Sequence, residues 1–153
     1  MSRRVAPLPV IALLILLLCP LALLAAGVDK ELPYALDQWI ELKTTEGPVT
    51  LHRIRLASQS GVTKSKILRP GNSKFAADVQ IQLEYSNEAT NDWEAAIRFE
   101  WLDSAGVVID GYDGNENLDN EAKYDQQTMT ISTLRYGLDR AKKMRIHITV
   151  APD

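Results

Sequence analysis

Cysteine is almost missing from this chain of 153 residues, and its scarcity removes several kinds of site at once. The single cysteine, Cys19, lies within a long apolar run near the N-terminus. The part after that run therefore has no disulfide, no thiolate metal site and no cysteine nucleophile. Its stability must come from a hydrophobic core, and its length is sufficient for one without covalent staples.

Catalytic motifs are missing as well. The chain has only two histidines, His52 and His147, and alternation along the last predicted strand turns His147 to the surface. No nucleophile-elbow sequence, zinc-ligand spacing or phosphate-binding glycine-rich loop occurs. A pair of carboxylates brought together by folding stays open, since no sequence spacing would reveal it. We therefore expect a protein that is not an enzyme and uses no cofactor, with a small hydrolase as the third-ranked alternative.

A long uncharged run, dense in leucine, occupies the N-terminus. It extends over residues 5–28 behind Arg3 and Arg4 and ends in small residues. This order is typical of an export signal, but about 20 apolar residues also suffice for a helix that spans a bilayer. Residues 1–27 are therefore predicted to be a helix, either a cleaved signal peptide or an uncleaved single-span membrane anchor that contacts the membrane through residues 5–28. Both alternatives place the rest of the chain outside the cytoplasm, periplasmic or secreted.

Strict alternation of apolar and polar residues marks the centre of the remaining chain. It runs through Val79–Tyr85 and again through Ala95–Trp101, and a period of two is typical of strands with one buried face. No long amphipathic helix and no internal repeat occurs. The pattern predicts an all-β fold, an antiparallel immunoglobulin-like β-sandwich of six or seven strands over residues 39–153. Residues 28–38 are predicted to be a tether to the leader, or alternatively a segment that caps the domain.

Three pieces of this pattern carry a resemblance to a known group of domains. They are the strand end Tyr85–Asn87, the strand–turn–strand Phe99–Ile109 around Gly106, and the crossover Leu134–Lys143 before the last strand. Over about residues 78–150 the chain resembles the FxLYD-like and fibronectin-type-III-like β-sandwich domains of bacterial envelope proteins. The resemblance implies a binding, spacing or assembly module rather than an enzyme, and it implies no particular site residues.

Acidic residues are concentrated in residues 110–121, which we predict to be a loop. Oxygen ligands at alternate positions resemble the first half of a calcium-binding loop, because a hard cation needs several converging oxygens. The match fails at the positions where an EF-hand requires its glycine and its bidentate glutamate. A looser calcium site that uses Asp110, Asp113 and Asp119 is one alternative, and a solvated polar loop is the other.

Charges of one sign cluster along the chain, although its formal net charge is only −3. Residues 50–75 contain arginine and lysine but no acidic residue, whereas residues 84–125 are mostly acidic. Such segregation would steer or dock a charged partner; alternatively, folding interleaves the segments and the signs cancel. Lys64, Lys66 and Arg69 are the basic side chains that we expect to bind a partner.

Trp93 lies in a predicted polar loop between two strands. An exposed indole there would serve as an interface anchor or a sugar platform; alternatively, it folds over the open end of the sandwich.

From all these features we expect a non-catalytic extracytoplasmic module that binds or braces another envelope or membrane protein. The alternative function is a calcium- or glycan-binding module that uses the loop at 110–121 and Trp93. Export and the negative net charge argue against nucleic acid as a partner.

Overall fold

The computed structural model describes residues 27–59 and 75–153, which form an antiparallel β-sandwich. The predicted all-β fold is confirmed, but eight strands are present where six or seven were predicted. The predicted N-terminal helix lies outside the described residues. In chain order the elements are β1 (Val28–Pro33), β2 (Ile40–Glu46), β3 (Val49–Ser58), β4 (Ala76–Asn87), β5 (Trp93–Leu102), β6 (Val108–Leu118), β7 (Ala122–Leu134), α1 (Arg135–Arg140) and β8 (Lys143–Pro152).

The strands form two four-stranded sheets that face each other. Sheet A has the order β1-β8-β5-β6, and sheet B has the order β2-β3-β4-β7. The neighbours β4 and β7, like β5 and β8, are three strands apart in sequence. The chain therefore crosses from one sheet to the other after β1, β4, β6 and β7. These repeated crossings join the two sheets into one unit with a single core.

The core lies where the alternating strands turn their apolar faces toward each other. In β4 every second residue is buried from Ala77 to Asn87, and in β5 the buried residues include Ile97, Phe99 and Trp101. Full burial of a side chain of this size stabilises the fold by about 1.5–3 kcal/mol. The remaining core side chains come mainly from β3 and β8: Val49, Leu51, Ile54 and Leu56, with Met144, Ile146 and Ile148.

The predicted tether at residues 28–38 is wrong for its first half. This half is β1, which pairs with β8 along its whole length and buries Val28 in the core. The carboxylate of Glu31 accepts hydrogen bonds from Lys143, at 2.8 Å, and from Arg145, at 3.3 Å. These bonds hold the pKa of Glu31 below its usual value. β1 was not predicted from the sequence because three consecutive charged residues interrupt the alternation of apolar and polar residues.

The predicted loop at residues 110–121 is also wrong, since most of it belongs to β6. That strand pairs with β5 from Leu118, opposite Trp93, back to Val108. Asp, Asn and Gly are poor strand formers, but pairing with a central strand overrides a weak local preference. The crossover Leu134–Lys143 contains the short helix α1. No helix in the described ranges is long and apolar enough to cross a bilayer.

The sandwich has two ends that differ in composition. At the first, which we call the helix end, α1 adjoins the β5–β6 turn and the start of β4: Lys142 N–H donates to Leu102 O and Arg135 N–H to Phe75 O. At the second, which we call the loop end, the connections β2–β3, β4–β5 and β6–β7 meet near the C-terminus. Three backbone hydrogen bonds join them: Glu88 N–H to Pro48 O, Glu121 N–H to Ala89 O and Asp153 N–H to Asp92 O.

A buried amide organises the loop end, and its removal gives the first prediction. Asn87 donates hydrogen bonds to Leu118 O and Asn91 O, and its Oδ1 accepts one from Ala89 N–H. Because Asn87→Ala leaves these three backbone groups without their partner, we expect the free energy of unfolding to fall by about 2–3 kcal/mol. Urea unfolding measures the change. Asn91→Ala, at an exposed side chain of the same loop, is the matched control and should lose less than about 0.5 kcal/mol. Equal losses would contradict the prediction.

Candidate functional site

Exposed apolar side chains are concentrated at the helix end. The described residues include six large exposed apolar side chains, and five of the six lie there. Exposed apolar patches on a folded domain are typical of interaction surfaces, because water contact with them is unfavourable unless a partner covers them. We call these five the apolar cluster: Phe75 (71% exposed), Val107 (61%), Val108 (44%), Leu134 (63%) and Tyr136 (65%).

Local backbone constraints hold this cluster outward. Asp103 Oδ1 accepts hydrogen bonds from the N–H groups of Ala105 and Val107, which fixes the β5–β6 turn. Gly106 completes that turn with a φ of +80°, a value that favours glycine. Gly137 packs against Ile109 so closely that a Cβ atom would lie 2.9 Å from its Cγ2. The turn and α1 therefore have little freedom to withdraw their apolar side chains.

Charged side chains of both signs lie at the helix end. Arg135, Arg140 and Lys142 are exposed there, and the acidic side chains of the same end are Asp78, Asp103 and Asp139. Three basic and three acidic side chains therefore lie near the apolar cluster. An apolar surface with charged side chains at its border complements a partner whose border carries the opposite charges.

One of these basic side chains is held in place by an aromatic ring. Arg140 donates a hydrogen bond to the Tyr136 hydroxyl, and its Cζ lies 5.2 Å from the centre of the Tyr136 ring. The hydrogen bond, which is the largest cause, keeps the pKa of Arg140 above its usual value. Together, Tyr136 and Arg140 present an apolar ring next to a positive charge that is held in place. This combination is common at protein interfaces.

An open groove of about 460 Å³ lies beside the apolar cluster. Its wall is partly apolar, through Leu36 and Leu138, and partly acidic, through Asp78 and Asp139. Tyr34 also lines the groove, and its pKa is raised by burial and by the nearby carboxylate of Asp139. The groove extends the cluster across the helix end and gives a partner a concave surface to fill.

The three predicted calcium ligands do not converge. Asp110 and Asp113 are three residues apart on one strand, so their side chains leave opposite faces of sheet A. Each carboxylate accepts from a different group: Asp110 from the Thr133 hydroxyl, Asp113 from Arg98 at 2.7 Å and Asp119 from the Asn117 amide at 2.7 Å. Within residues 27–59 and 75–153, no three His, Cys, Asp or Glu side chains are grouped as metal ligands.

Trp93 opens β5 at the loop end and is half-buried. Its ring lies so close to Gly47 that a Cβ atom there would be 2.9 Å from Cη2. Trp93 therefore covers the open end of the sandwich, which is the second of the two alternatives for this residue. Lys64, Lys66 and Arg69 lie outside the described residues, so their binding of a partner stays a prediction.

Sequence reasoning missed a cation–aromatic group on the outer face of sheet B. The guanidinium carbons of Arg53 and Arg55 lie 4.5 and 4.4 Å from the Trp39 ring. Arg53 also pairs with Glu84 at 2.7 Å, which is the main reason that its pKa is raised, and Arg55 donates to Gln82 at 2.6 Å. The sequence did contain a sign of this group: Arg53 and Arg55 are two residues apart on one strand, so their side chains lie on the same face. Both cations are paired within the sheet, so this group stiffens the face.

A histidine and a serine also meet on this face. His52 Nε2 lies 2.8 Å from Ser86 Oγ, and the His52 ring stacks on Tyr124 with 4.4 Å between ring centres. Ser86 Oγ accepts a hydrogen bond from the Tyr124 N–H. A catalytic triad needs a third group that orients the base, and no described carboxylate is hydrogen-bonded to His52. The contact is best explained as a link between β3, β4 and β7.

A hydrogen-bond network closes the side of the sandwich where β6 and β7 approach each other. The Tyr112 hydroxyl donates to Glu116 Oε1, and Gln127 Nε2 donates to Glu116 Oε2 at 2.8 Å. Burial, followed by the hydrogen bond to Glu116, raises the pKa of Tyr112 from its usual 10.0 to about 12. The neutral phenol is therefore the form that the folded protein stabilises.

This network predicts a loss of stability at high pH. Above pH 10 the unfolded chain releases the Tyr112 proton, whereas the folded chain keeps it up to about pH 12. The contribution of Tyr112 to the free energy of unfolding is therefore fully present below pH 10 and is lost as the pH rises through 12. Tyr112→Phe should flatten the fall in unfolding free energy between pH 10 and 12 and remove one phenolate titrating near pH 12. Denaturant unfolding and ultraviolet titration measure both; an unchanged pH profile would contradict the prediction.

Comparison with known proteins adds no assignment to this geometry. No protein-family model matches the chain, and no curated protein matches it in sequence. Any function must therefore be argued from the arrangement of its own residues, of which the helix end is the surface with the clearest chemistry.

Proposed function

We propose that this chain is a non-catalytic, extracytoplasmic β-sandwich module that binds or braces another envelope protein. The observation that supports this proposal is the helix end, where the apolar cluster lies next to Arg135, Arg140 and Lys142. Protein interfaces combine an apolar centre with a polar border, and aromatic and arginine side chains supply much of their binding energy. The expected partner presents an apolar surface whose border includes acidic groups that pair with these basic side chains.

The position of the N-terminus is compatible with this use of the helix end. Val28 pairs with Ile148, and β1 then runs toward Lys143 at the helix end. The chain thus enters the sandwich nearer the loop end and points toward the helix end. With residues 1–27 retained as an anchor, the helix end would lie on the far side from the bilayer, beyond the six residues of β1, which span about 20 Å. With the leader cleaved, the helix end is equally accessible.

Membership of the FxLYD-like and fibronectin-type-III-like group is part of the proposal, in a broad sense of immunoglobulin-like. Immunoglobulin constant domains pair their second strand with their fifth, whereas sheet B here has the order β2-β3-β4-β7. Many binding domains share the two-sheet architecture with different strand orders. The calcium or glycan alternative lacks comparable support, because its carboxylates are apart and Trp93 covers the loop end.

The test removes apolar surface from the helix end without disturbing the turn. The variant combines Val107→Ser and Val108→Thr in the full chain, with an affinity tag after Asp153 at the loop end. We expect recovery of the partner from membrane extracts to fall at least about tenfold, because the variant replaces two exposed apolar side chains with polar ones and removes their burial from the interface. Recovery from the unsubstituted chain should also fall with added salt.

The matched control is Thr90→Ser, an equally small change at the loop end, which should leave recovery unchanged. Lys64→Glu with Lys66→Glu tests the predicted basic side chains separately. Equal recovery with all three variants would overturn the helix end as the binding surface. Turnover of any substrate by the purified chain would overturn the non-catalytic assignment.

A further inference from the structure

β7 is an edge strand of sheet B, and among the described residues only side-chain hydrogen bonds with β6, from Gln127 to Glu116 and from Thr133 to Asp110, reach its outer side. It pairs with β4 on one side, and no other described strand lies beside it in sheet B. From Gln126 to Leu134 it contains no charged residue and no proline, and its register with β4 is unbroken there. A long, regular, uncharged edge offers a row of free backbone N–H and C=O groups to another strand. β7 thus has the properties of a strand-pairing site.

The other three edge strands carry the devices that prevent such pairing. β1 is short, contains three consecutive charged residues and ends in Pro33. β2 carries charges and breaks its register between Glu41 and Thr44. β6 contains two glycines and three acidic residues. Charges, prolines and irregular register are the usual protection of sheet edges, and within the described part of the chain β7 from Gln126 onward lacks all of them.

We propose that β7 pairs antiparallel with β7 of a second copy of this chain, about a twofold axis through Thr130. The two copies of sheet B would then form one continuous eight-stranded sheet. In this register the hydroxyl of Thr128 faces Ser132 of the second copy, and Met129 faces Ile131. Directly opposed side chains of similar chemistry are the main stabilising pairs of antiparallel strands. A twofold interface requires such self-complementarity, which a strand from an unrelated partner does not.

Charge fixes the register. Opposed residues must lie on the same face, so the axis can shift only from one residue of β7 to the next, which moves each pairing by two residues. With the axis at Thr130, Asp125 faces Arg135 of the second copy at both ends of the paired segment. Arg135 is the first residue of α1, and its N–H still bonds to Phe75 O at the start of β4, so it directly continues the strand. With the axis at Met129, Lys123 would face Arg135, which is repulsive. With the axis at Ile131, Asp125 would face Gly137 of α1 and lose its partner.

The side chains of these two terminal residues lie at the surface. Asp125 and Arg135 are both exposed, and neither forms an ion pair within residues 27–59 and 75–153. One oxygen of the Asp125 carboxylate accepts the Gln126 N–H at 2.7 Å, and the other oxygen would accept from Arg135 of the second copy. Leu134, which is 63% exposed, would face Gln126 of the second copy and lose part of its contact with water. The same pairing therefore satisfies two charges and shields one exposed apolar side chain in each copy.

Cysteine cross-linking tests the register. In the full chain with Cys19→Ser, Thr130→Cys places two cysteines on the twofold axis, within the distance that a disulfide spans. We expect mild oxidation to yield a covalent dimer. Thr128→Cys or Ser132→Cys alone should not cross-link, since equal residues would be about 13 Å apart. Mixing these two variants should restore the cross-link, because residue 128 then faces residue 132.

Sedimentation equilibrium tests the strength of the pairing. Thr130→Lys brings two like charges together on the axis, so the Kd of the dimer should rise at least about tenfold. Thr90→Lys adds the same charge at the loop end and should leave the Kd unchanged.

Three results would overturn the inference. They are a monomeric chain at every concentration, equal cross-linking by all single-cysteine variants, and cross-linking of residue 130 to a different protein, which would indicate a donated strand. The dimer shares Leu134 and Arg135 with the proposed partner surface, but the variants at other residues distinguish the two proposals. Val107→Ser with Val108→Thr should leave the dimer intact, and Thr130→Lys should leave recovery of the partner intact.

Discussion

Burial of the alternating faces of β4 and β5 in one core is the constraint on which the other surfaces depend. Both strands lie inside their sheets, with neighbours on each side, and both place every second side chain in the interior. A shift of either strand by one residue would turn its apolar set to solvent, so their register is fixed. Because the register of β4 and β5 is fixed, the positions of the two ends of the sandwich and of its four edge strands are fixed as well.

The outer faces, the two ends and the edges of the sandwich differ in how far their polar and apolar groups find partners within the chain. On the outer faces of both sheets, charges are paired across strands, as in Glu31 with Arg145 and Arg53 with Glu84. At the loop end, Asn87 and Trp93 close the structure with hydrogen bonds and packing. Within the described residues the helix end lacks this closure. Along β7, side-chain hydrogen bonds with β6 are present, but no strand of sheet B lies on the outer side of its backbone. Surface that a fold leaves apolar, or backbone that it leaves without a neighbouring strand, is where association contributes most free energy.

The interior was predictable from the sequence, and the periphery was not. Strict alternation identified β4, β5 and β8, because strands with one buried face record that burial directly in their pattern. β1 and β6 were missed because their charged, Asn-rich or Gly-rich sequences form strands only through pairing with a central neighbour. The candidate site was even harder to predict from the sequence. Val107 and Tyr136 are far apart in sequence, and only the packing of α1 on Ile109 brings their segments to one end. Alternation alone also cannot show that β7 is an edge strand, since that follows from topology.

The twofold pairing and the fate of the leader constrain each other. Antiparallel pairing of β7 turns the two helix ends in opposite directions, and the two N-termini follow, because β1 is paired with β8 immediately after Val28. Two retained anchors would therefore leave the proposed dimer at opposite ends. A cleaved leader removes this conflict and leaves a particle with a binding surface at each end. Such a dimer can join two copies of a partner with a gain in avidity, which suits a protein that braces others.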